Sequence, residues 1–321
     1  MNRTCCLMVL NYNGRQHLED CFSTLLVAAA NSRHDCRVVC VDNRSTEPDV
    51  QFLRERFPQV EVVVAARNDF LFSLNAVVAA RSEDIVVILN NDMRFHPDFV
   101  DPLIAHFEDP SLFAAASQLV NWDGSTPQNA ARRGWTQNAW FYKGWRAIGE
   151  GAAASLEAPG GASAYNRERF VELGGFDPLY RPGYYEDLDL SYRAWARGWG
   201  TIFEPTSIIY HKEGVTLDDV FGRGRISRVH FRNHVLFTLK NIGDWRFLAA
   251  FLLLLPVRAL RPLVRGDTLP LRGILASIAR LPAALRRRMA RAGAGSAEIF
   301  ERIETSGAGH RPGRALSEAA R

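Results

Sequence analysis

Cysteine is scarce in this chain, and none of it follows a metal-binding or disulfide pattern. The five cysteines (Cys5, Cys6, Cys21, Cys36 and Cys40) all lie in the first forty of 321 residues, an odd number without Cys-x-x-Cys spacing. Cys5, Cys6 and Cys40 fall inside apolar runs, so small core residues in a reducing compartment are expected rather than disulfides or zinc ligands. Long apolar runs are missing too. Phe247 to Val257 holds eleven apolar residues, too few to span a bilayer, and Cys5 to Leu10 is too short for a signal peptide, so a cytoplasmic location is expected. No Gly-x-Gly-x-x-Gly follows the first apolar run, which removes the signature of a redox dinucleotide fold.

Charge is unevenly spread. Residues 257–321 carry thirteen arginines and no lysine against five acids, a balance of +8 that leaves residues 1–256 at −4. Because these arginines alternate with Leu, Ile and Pro, they suit an anionic membrane surface and not nucleic acid. The run at Phe247 reads as an interfacial helix or a buried core helix. With 47% hydrophobic residues the chain can bury one large α/β core plus an appendage.

The most informative stretch is Asp84 to Asp92. Ile85 to Leu89 is an apolar, mostly β-branched run that reads as a strand buried on both faces. It stops on Asn90, Asn91 and Asp92, at the carboxyl edge where open α/β sheets bind ligands. A carboxylate beside two carboxamides suits a hard divalent cation gripping a diphosphate, although the same residues are ordinary turn formers. The pattern recurs upstream. Cys5 to Leu10 ends on Asn11-Tyr12-Asn13-Gly14, and a helix follows with Leu18, Cys21, Phe22, Leu25 and Leu26 at helical spacing. Arg37 to Val41 ends on Asp42-Asn43-Arg44-Ser45-Thr46, where Ser45 or Thr46 can cap the next helix. Val60 to Ala65 leads to Arg67-Asn68-Asp69 and a helix containing Asn75. Four strands alternating with helices predict a doubly wound, mostly parallel α/β sheet. Its edge would carry Tyr12, Asp42, Arg67 and Asp92, a set that suits a nucleoside diphosphate. Each residue has a plain alternative: Tyr12 a loop aromatic, Asp42 a capping acid, Arg67 a solvated side chain.

The second half holds a different set. Trp122, Trp135, Trp140, Phe141, Tyr142 and Trp145 show no clean period and fit either an acceptor cleft or a satellite core. Pro159 to Ala164, with Gly160 and Gly161, allows close backbone approach, and Asn166 to Leu173 reads as a helix stopped by Gly174-Gly175. Tyr180, Tyr184 and Tyr185 precede Glu186-Asp187-Leu188-Asp189-Leu190, which opens a helix with Leu188, Tyr192, Trp195 and Trp199 on one stripe. Acids in a first turn serve the helix dipole, and the same field keeps a carboxylate ionised as a general base must be. Asp189 points about 200° away from Asp187 and is expected to pair with backbone or Arg193. Thr201 to Glu204 and Ser207 to His211 read as two short strands, with His211 at a strand end.

Taken in order, Asn11-Tyr12-Asn13-Gly14, Asp42-Asn43-Arg44-Ser45-Thr46, Asn90-Asn91-Asp92, Gly174-Gly175-Phe176-Asp177 and Glu186-Asp187-Leu188-Asp189 resemble family 2 glycosyltransferases over about residues 4–242. With Arg232-Asn233 and Lys240-Asn241 the chain is similar to rhamnosyltransferase-like bacterial members that build cell-surface polysaccharides. The resemblance implies a GT-A fold with donor (about 1–120) and acceptor (about 121–242) halves, to which composition adds a basic apolar helical extension over 243–291 and a weakly ordered tail over 292–321. It implies transfer of a sugar from a nucleotide diphosphate sugar donor to a glycan or lipid-linked acceptor hydroxyl, with inversion, at the inner face of the cell membrane. Asn11, Tyr12, Asp42, Arg67, Asn91 and Asp92 would bind donor, and Gly161, Tyr185 and Glu186 acceptor. Asp187 would be the base, and Asp92 with His211 would hold Mg²⁺ or Mn²⁺. Asn90 stands where the family's metal motif has its first acid, which removes one charge from that site. A nucleotidyltransferase is the nearest alternative enzyme, although Asn11 to Arg15 lacks its glycine-rich basic loop. A non-catalytic sugar- or lipid-binding scaffold is the alternative from another class.

Overall fold

The computed structural model describes residues 2–149, 151–212, 223–290 and 293–306, with the side chains of 223–226 left out. The amino-terminal half alternates as expected: β1 (Thr4–Asn11), α1 (Arg15–Asn31), β2 (Asp35–Asp42), α2 (Asp49–Arg56), β3 (Glu61–Val64), α3 (Leu74–Ala79) and β4 (Ile85–Asn90). These strands pair in parallel in the order β3-β2-β1-β4. Alternate residues of each strand enter opposite cores. Cys6, Met8, Val39, Val41, Val86 and Ile88 join one; Cys5, Leu7, Val9, Cys40, Val87 and Leu89 join the other. This explains the unbroken apolar runs, since a strand covered on both faces cannot alternate with polar residues. All five cysteines are free, and four are fully buried.

Beyond β4 the sheet becomes mixed. The chain adds β5 (Met93–Phe95), α4 (Val100–Ala105), β6 (Leu112–Asn121), the hairpin β7 (Arg132–Gln137) and β8 (Trp140–Trp145), then β9 (Ala153–Ala154), β10 (Ala162–Asn166) and α5 (Arg167–Glu172). After them come α6 (Glu186–Ala196) and β11 (Gly200–His211). The nine-stranded sheet runs β3-β2-β1-β4-β10-β6-β11-β5, with β9 beside β11 and β10 antiparallel to both neighbours. Three local expectations are corrected. The two strands read at Thr201 and Ser207 are one, β11, which slips register on β6 between Glu204 and Ile208 where Pro205 interrupts the ladder. Helix α6 ends at Ala196, so Trp199 lies past the turn at Gly198 (φ +84°) and off the stripe. Neither Ser45 nor Thr46 caps α2, whose N-cap is Pro48, because Ser45 is drawn into the carboxyl-edge site.

The remaining chain is helical: α7 (Arg223–Asn241), α8 (Trp245–Leu263), α9 (Leu269–Ile278), α10 (Leu281–Met289) and α11 (Ser296–Thr305). The sequence from Val215 to Asn241 reads as helical, and its first residues, 215–222, lie outside the described residues. Among the described residues no helix is long and apolar enough to cross a membrane. The apolar run forms α8, which buries only Phe251 and Ala259 fully and leaves Leu252, Leu253, Val257, Leu260 and, just past its end, Val264 exposed.

Weak order was expected after Ala292; Ser296–Thr305 instead form α11, and residues 307–321 lie outside the described residues. Ile299 and Ile303 are fully buried, Phe300 stacks on Phe141, and Ser296 Oγ lies 2.7 Å from Tyr192 Oη. Small residues and charges masked a four-residue apolar spacing that is enough for one buried stripe. Ile303→Ala should therefore destabilise the protein by about 2–5 kcal/mol in urea denaturation, as for a buried core isoleucine; a loss below about 1 kcal/mol would show that α11 does not hold the fold.

Candidate active site

The carboxyl edge is organised by one carboxamide. Asn11, at the end of β1 and fully buried, donates through Nδ2 to Asp42 Oδ2 (3.1 Å), Ser45 Oγ (3.3 Å) and Asp49 Oδ2 (2.8 Å). Its Oδ1 accepts from Asn91 Nδ2 at 2.7 Å. Four segments thus meet on one side chain. Gly14 is required beside it, because a Cβ there would fall 1.9 Å from Asn91 Nδ2. Asp42 is buried as well, its Oδ1 accepting from the Ser45 N–H (2.9 Å) and its Oδ2 from Ser45 Oγ (2.6 Å). Asn11, Asp42 and Asn91 therefore form one braced set, whereas Tyr12 next to them is 47% exposed. Arg67 lies apart. It pairs with Asp69 (3.0 Å), which is also held by Arg181 Nε (2.7 Å), beside a cleft of about 700 Å³ under the β3 edge.

Asp92 and His211 are brought together from β4's end and β11's end. His211 Nε2 is 3.4 Å from Asp92 Oδ2, and Gln128 Oε1 lies 2.7 Å from His211 Nδ1. Asp92 Oδ1 is buried without a hydrogen-bond partner. Among the described residues no group of three or more His, Cys, Asp or Glu could hold a metal. A carboxylate with an open oxygen, facing a histidine oriented from behind, nonetheless fits a divalent cation whose other ligands are substrate phosphate and water.

Two glycines link this edge to the second set. The Asn90 N–H donates to Gly161 O (2.9 Å), and a Cβ on Gly161 would lie 2.4 Å from the Asn90 amide. A Cβ on neighbouring Gly160 would meet Leu71 at 2.6 Å and Asp187 Cβ at 3.7 Å. Asn90 and Asp187 thus stand on either side of a Gly-Gly step.

Helix α6 starts from Tyr185 in the left-handed region (φ +77°), a conformation costly for an aromatic and held by its surroundings. Asn233 Nδ2 donates to the carbonyls of Tyr180, Gly183 and Tyr184, each at 2.8 Å, and Tyr185 Oη lies 2.8 Å from His234 Nδ1. Asp189, fully buried, meets Arg193 Nε (2.7 Å), as the helical spacing suggested, and also Lys240, Tyr180 Oη and Asn241. Those partners hold it well below the ordinary carboxylate range despite burial.

Asp187 differs. Its Oδ1 accepts the Leu188 N–H at 2.7 Å, while burial, joined by the charge of Glu157 and opposed by Lys143, raises its proton affinity. The helix-terminal field expected to keep it ionised is outweighed by desolvation, which makes Asp187 a stronger base. Glu186 is raised to about 8 by burial and then by Asp187, and its Oε2 has no hydrogen-bond partner. Glu157, Lys143 and Gln128 carried no motif that marks them; they matter only because Lys143 Nζ meets Glu157 at 2.7 Å beside Asp187, and Gln128 backs His211.

The parallel β3-β2-β1-β4 half, the mixed second half and the ligand edge between them define the GT-A class of fold. Residues 6–172, just over half of the chain, match the model of Glycosyl transferase family 2, and the chain belongs to that family. It is 25% identical over 223 residues to the Pre-mycofactocin glycosyltransferase of Mycobacterium tuberculosis, covering 66% of this chain and 43% of that protein. It is 23% identical over 184 residues to Polypeptide N-acetylgalactosaminyltransferase 15 of Mus musculus, covering 48% and 29%. The chain therefore spans less than half the length of either relative. Among solved structures it is similar in fold to GalNAc-T7 with UDP, GalNAc and Mn²⁺, with a TM-score of 0.65, 17% identity and coverage of 94% and 57%. It is also similar in fold to the Pyrobaculum calidifontis mannosyltransferase PcManGT in complex with GDP-Man and Mn²⁺ (TM-score 0.53, 18% identity, coverage 100% and 80%).

The raised Glu186 gives a pH prediction. Between the ordinary carboxyl value and about 8 the native state keeps a proton that the unfolded chain has lost, so stability falls as pH rises through that window. Glu186→Gln should flatten that part of the stability curve in denaturation at pH 5 to 8; an unchanged slope would show that Glu186 is ionised in the fold.

Proposed function

We propose that the chain is an inverting hexosyltransferase, rhamnosyltransferase-like, moving a sugar from a nucleotide diphosphate sugar to a hydroxyl of a glycan or lipid-linked acceptor in cell-surface polysaccharide synthesis. The observation that carries this reading is the Gly160–Gly161 step, which sets Asn90 of the carboxyl edge next to Asp187. The UDP, GalNAc, GDP-Man and Mn²⁺ bound to the fold neighbours support it from outside. In this reading Tyr12, Arg67 and the Asn11–Asp42–Asn91 set bind donor, with Asn11 positioning Asp42 and Asn91. Asp92 and His211 would hold Mg²⁺ or Mn²⁺, which supplies charge compensation for the leaving diphosphate. Asp187 takes the acceptor proton as the oxygen attacks from the opposite face, in a single displacement that needs no carboxylate nucleophile. Gly161, which leaves room for the Asn90 carboxamide, lies on the acceptor side with Tyr185 and Glu186. Residues 1–242 are the catalytic unit and 243–291 the extension.

Asp187→Asn keeps shape but loses basicity. Turnover should fall on the order of 10²-fold or more with donor affinity nearly intact. Asp92→Ala and His211→Ala should instead weaken Mn²⁺-dependent nucleotide binding in calorimetry. Normal turnover in the first variant, or unaltered metal response in the other two, overturns the corresponding role.

The exposed apolar face of α8, with Leu253 76% and Val264 89% exposed beside Arg246, Arg261 and Arg265, supports peripheral contact with an anionic membrane at the inner face of the cell membrane. Leu253→Asp with Leu260→Asp should abolish sedimentation with phosphatidylglycerol vesicles, and high salt should weaken it in the unaltered protein. Equal sedimentation of variant and parent would remove the membrane from this reading.

A further inference from the structure

The β7–β8 hairpin has two chemically different faces. Side chains of directly opposed residues share a face, and faces alternate along a strand. Trp135 opposite Tyr142 therefore lies on one face, where the two rings stack and are about one-third exposed. Gly134 opposite Lys143, Thr136 opposite Phe141 and Arg132 opposite Trp145 share the other. Phe141 is fully buried in the main core, so this second face turns inward. Along it the chemistry changes from apolar to charged: Lys143 Nζ reaches Glu157 at 2.7 Å, and Arg132 Nε reaches the same carboxylate at 3.4 Å.

Trp145 ends this row. The Arg132 guanidinium carbon sits 3.2 Å from the centre of the Trp145 ring, covering one face of the indole, and the residue remains 50% exposed. Glu157 fixes Arg132, and Arg132 fixes the ring, so the open indole face is preorganised before anything binds. The same cluster reaches the reacting end of the cleft. Lys143 Nζ lies 5.5 Å from the centre of the Tyr185 ring, the residue directly before Glu186 and Asp187, and the charge of Glu157 acts on Asp187, that of Asp187 on Arg132, and that of Lys143 on Glu186. Glu186 is about nine-tenths buried, and its Oε2 has no partner.

We propose that Trp145, backed by Arg132 and bordered by Lys143, Glu157 and Glu186, is an acceptor subsite for the pyranose ring of a glycan. A pyranose offers what this surface lacks: a flat C–H face for the free side of the indole, and a rim of hydroxyls for carboxylates and the lysine. A phosphate-bearing acceptor unit suits it less, because both cations, Arg132 and Lys143, are already paired with Glu157. The assignment rests on the transferase reading and narrows it. The nucleophile is a sugar hydroxyl, and Trp145 orients the ring that carries it toward Asp187.

The test uses the full chain labelled with 5-fluorotryptophan, the Trp145 resonance being the one missing in Trp145→Phe. Methyl hexopyranosides and glycerol 3-phosphate are titrated, and UDP and GDP binding with Mn²⁺ is measured separately by calorimetry. At least one glycoside should move the Trp145 resonance. Trp145→Ala should bind it about 10-fold more weakly, with nucleotide binding unchanged, and Trp145→Phe should keep most of the affinity. Glycoside binding that leaves the resonance unmoved, equal affinity in Trp145→Ala, response to glycerol 3-phosphate alone, or response to no glycoside each overturns the subsite. Nucleotide binding without glycoside binding refutes the subsite and leaves the donor reading intact. Glycoside binding at Trp145 without nucleotide binding supports the subsite and refutes the donor reading.

Discussion

The carboxylate of Asp189 is the constraint on which the second half depends. It is fully buried, and it is stable there only because Lys240, Arg193, Tyr180 and Asn241 surround it. Removing one partner from such a buried pair costs about 3–5 kcal/mol, since a charge is left without compensation. Lys240 also meets Asp177 at 2.7 Å, and Arg287 meets Asp177 at 2.9 Å, so α6, the loop before it, α7 and α10 are locked as one block. Two acids two positions apart thus do opposite jobs. Asp189 gives up all its hydrogen-bonding capacity to the fold, and Asp187 is left with little more than the Leu188 N–H on its oxygens.

The carboxyl edge uses a neutral version of the same device. A carboxamide has both donors and an acceptor, so Asn11 can tie two aspartates and a second asparagine without adding a charge among them. An aspartate at that position would face Asp42 and Asp49 as a third negative charge. The close approach of Asn91 then forces glycine at position 14, and the close approach of Asn90 forces glycine at 161.

The parallel half was legible because burial on both sheet faces leaves continuous apolar strands, each stopping on a polar cluster. The same logic put Asp92 and His211 at strand ends, and they face one another; helical spacing gave the pairing of Asp189 with Arg193. What escaped was set by contacts between distant segments. Ser45 is a capping residue by type, but Asp42 and Asn11 compete for its hydroxyl. Asp187's raised proton affinity depends on Glu157, thirty residues earlier in the chain, and on burial that no local pattern records. The aromatics of the middle section had no helical period because they belong to a hairpin whose two faces serve different surroundings.

The anchoring of α11 has a consequence for the order of events during synthesis. Arg146, just past the hairpin, donates to the carbonyls of Glu304 and Ser306, and Gly134 packs so tightly that a Cβ would fall 2.8 Å from Phe300. The hairpin segment therefore waits for these neighbours until more than 150 further residues have been added. On a ribosome adding about 5–20 residues per second, that wait is on the order of ten seconds. During it the side of the hairpin that meets α11 is uncovered, which exposes the nascent chain to chaperones or to aggregation.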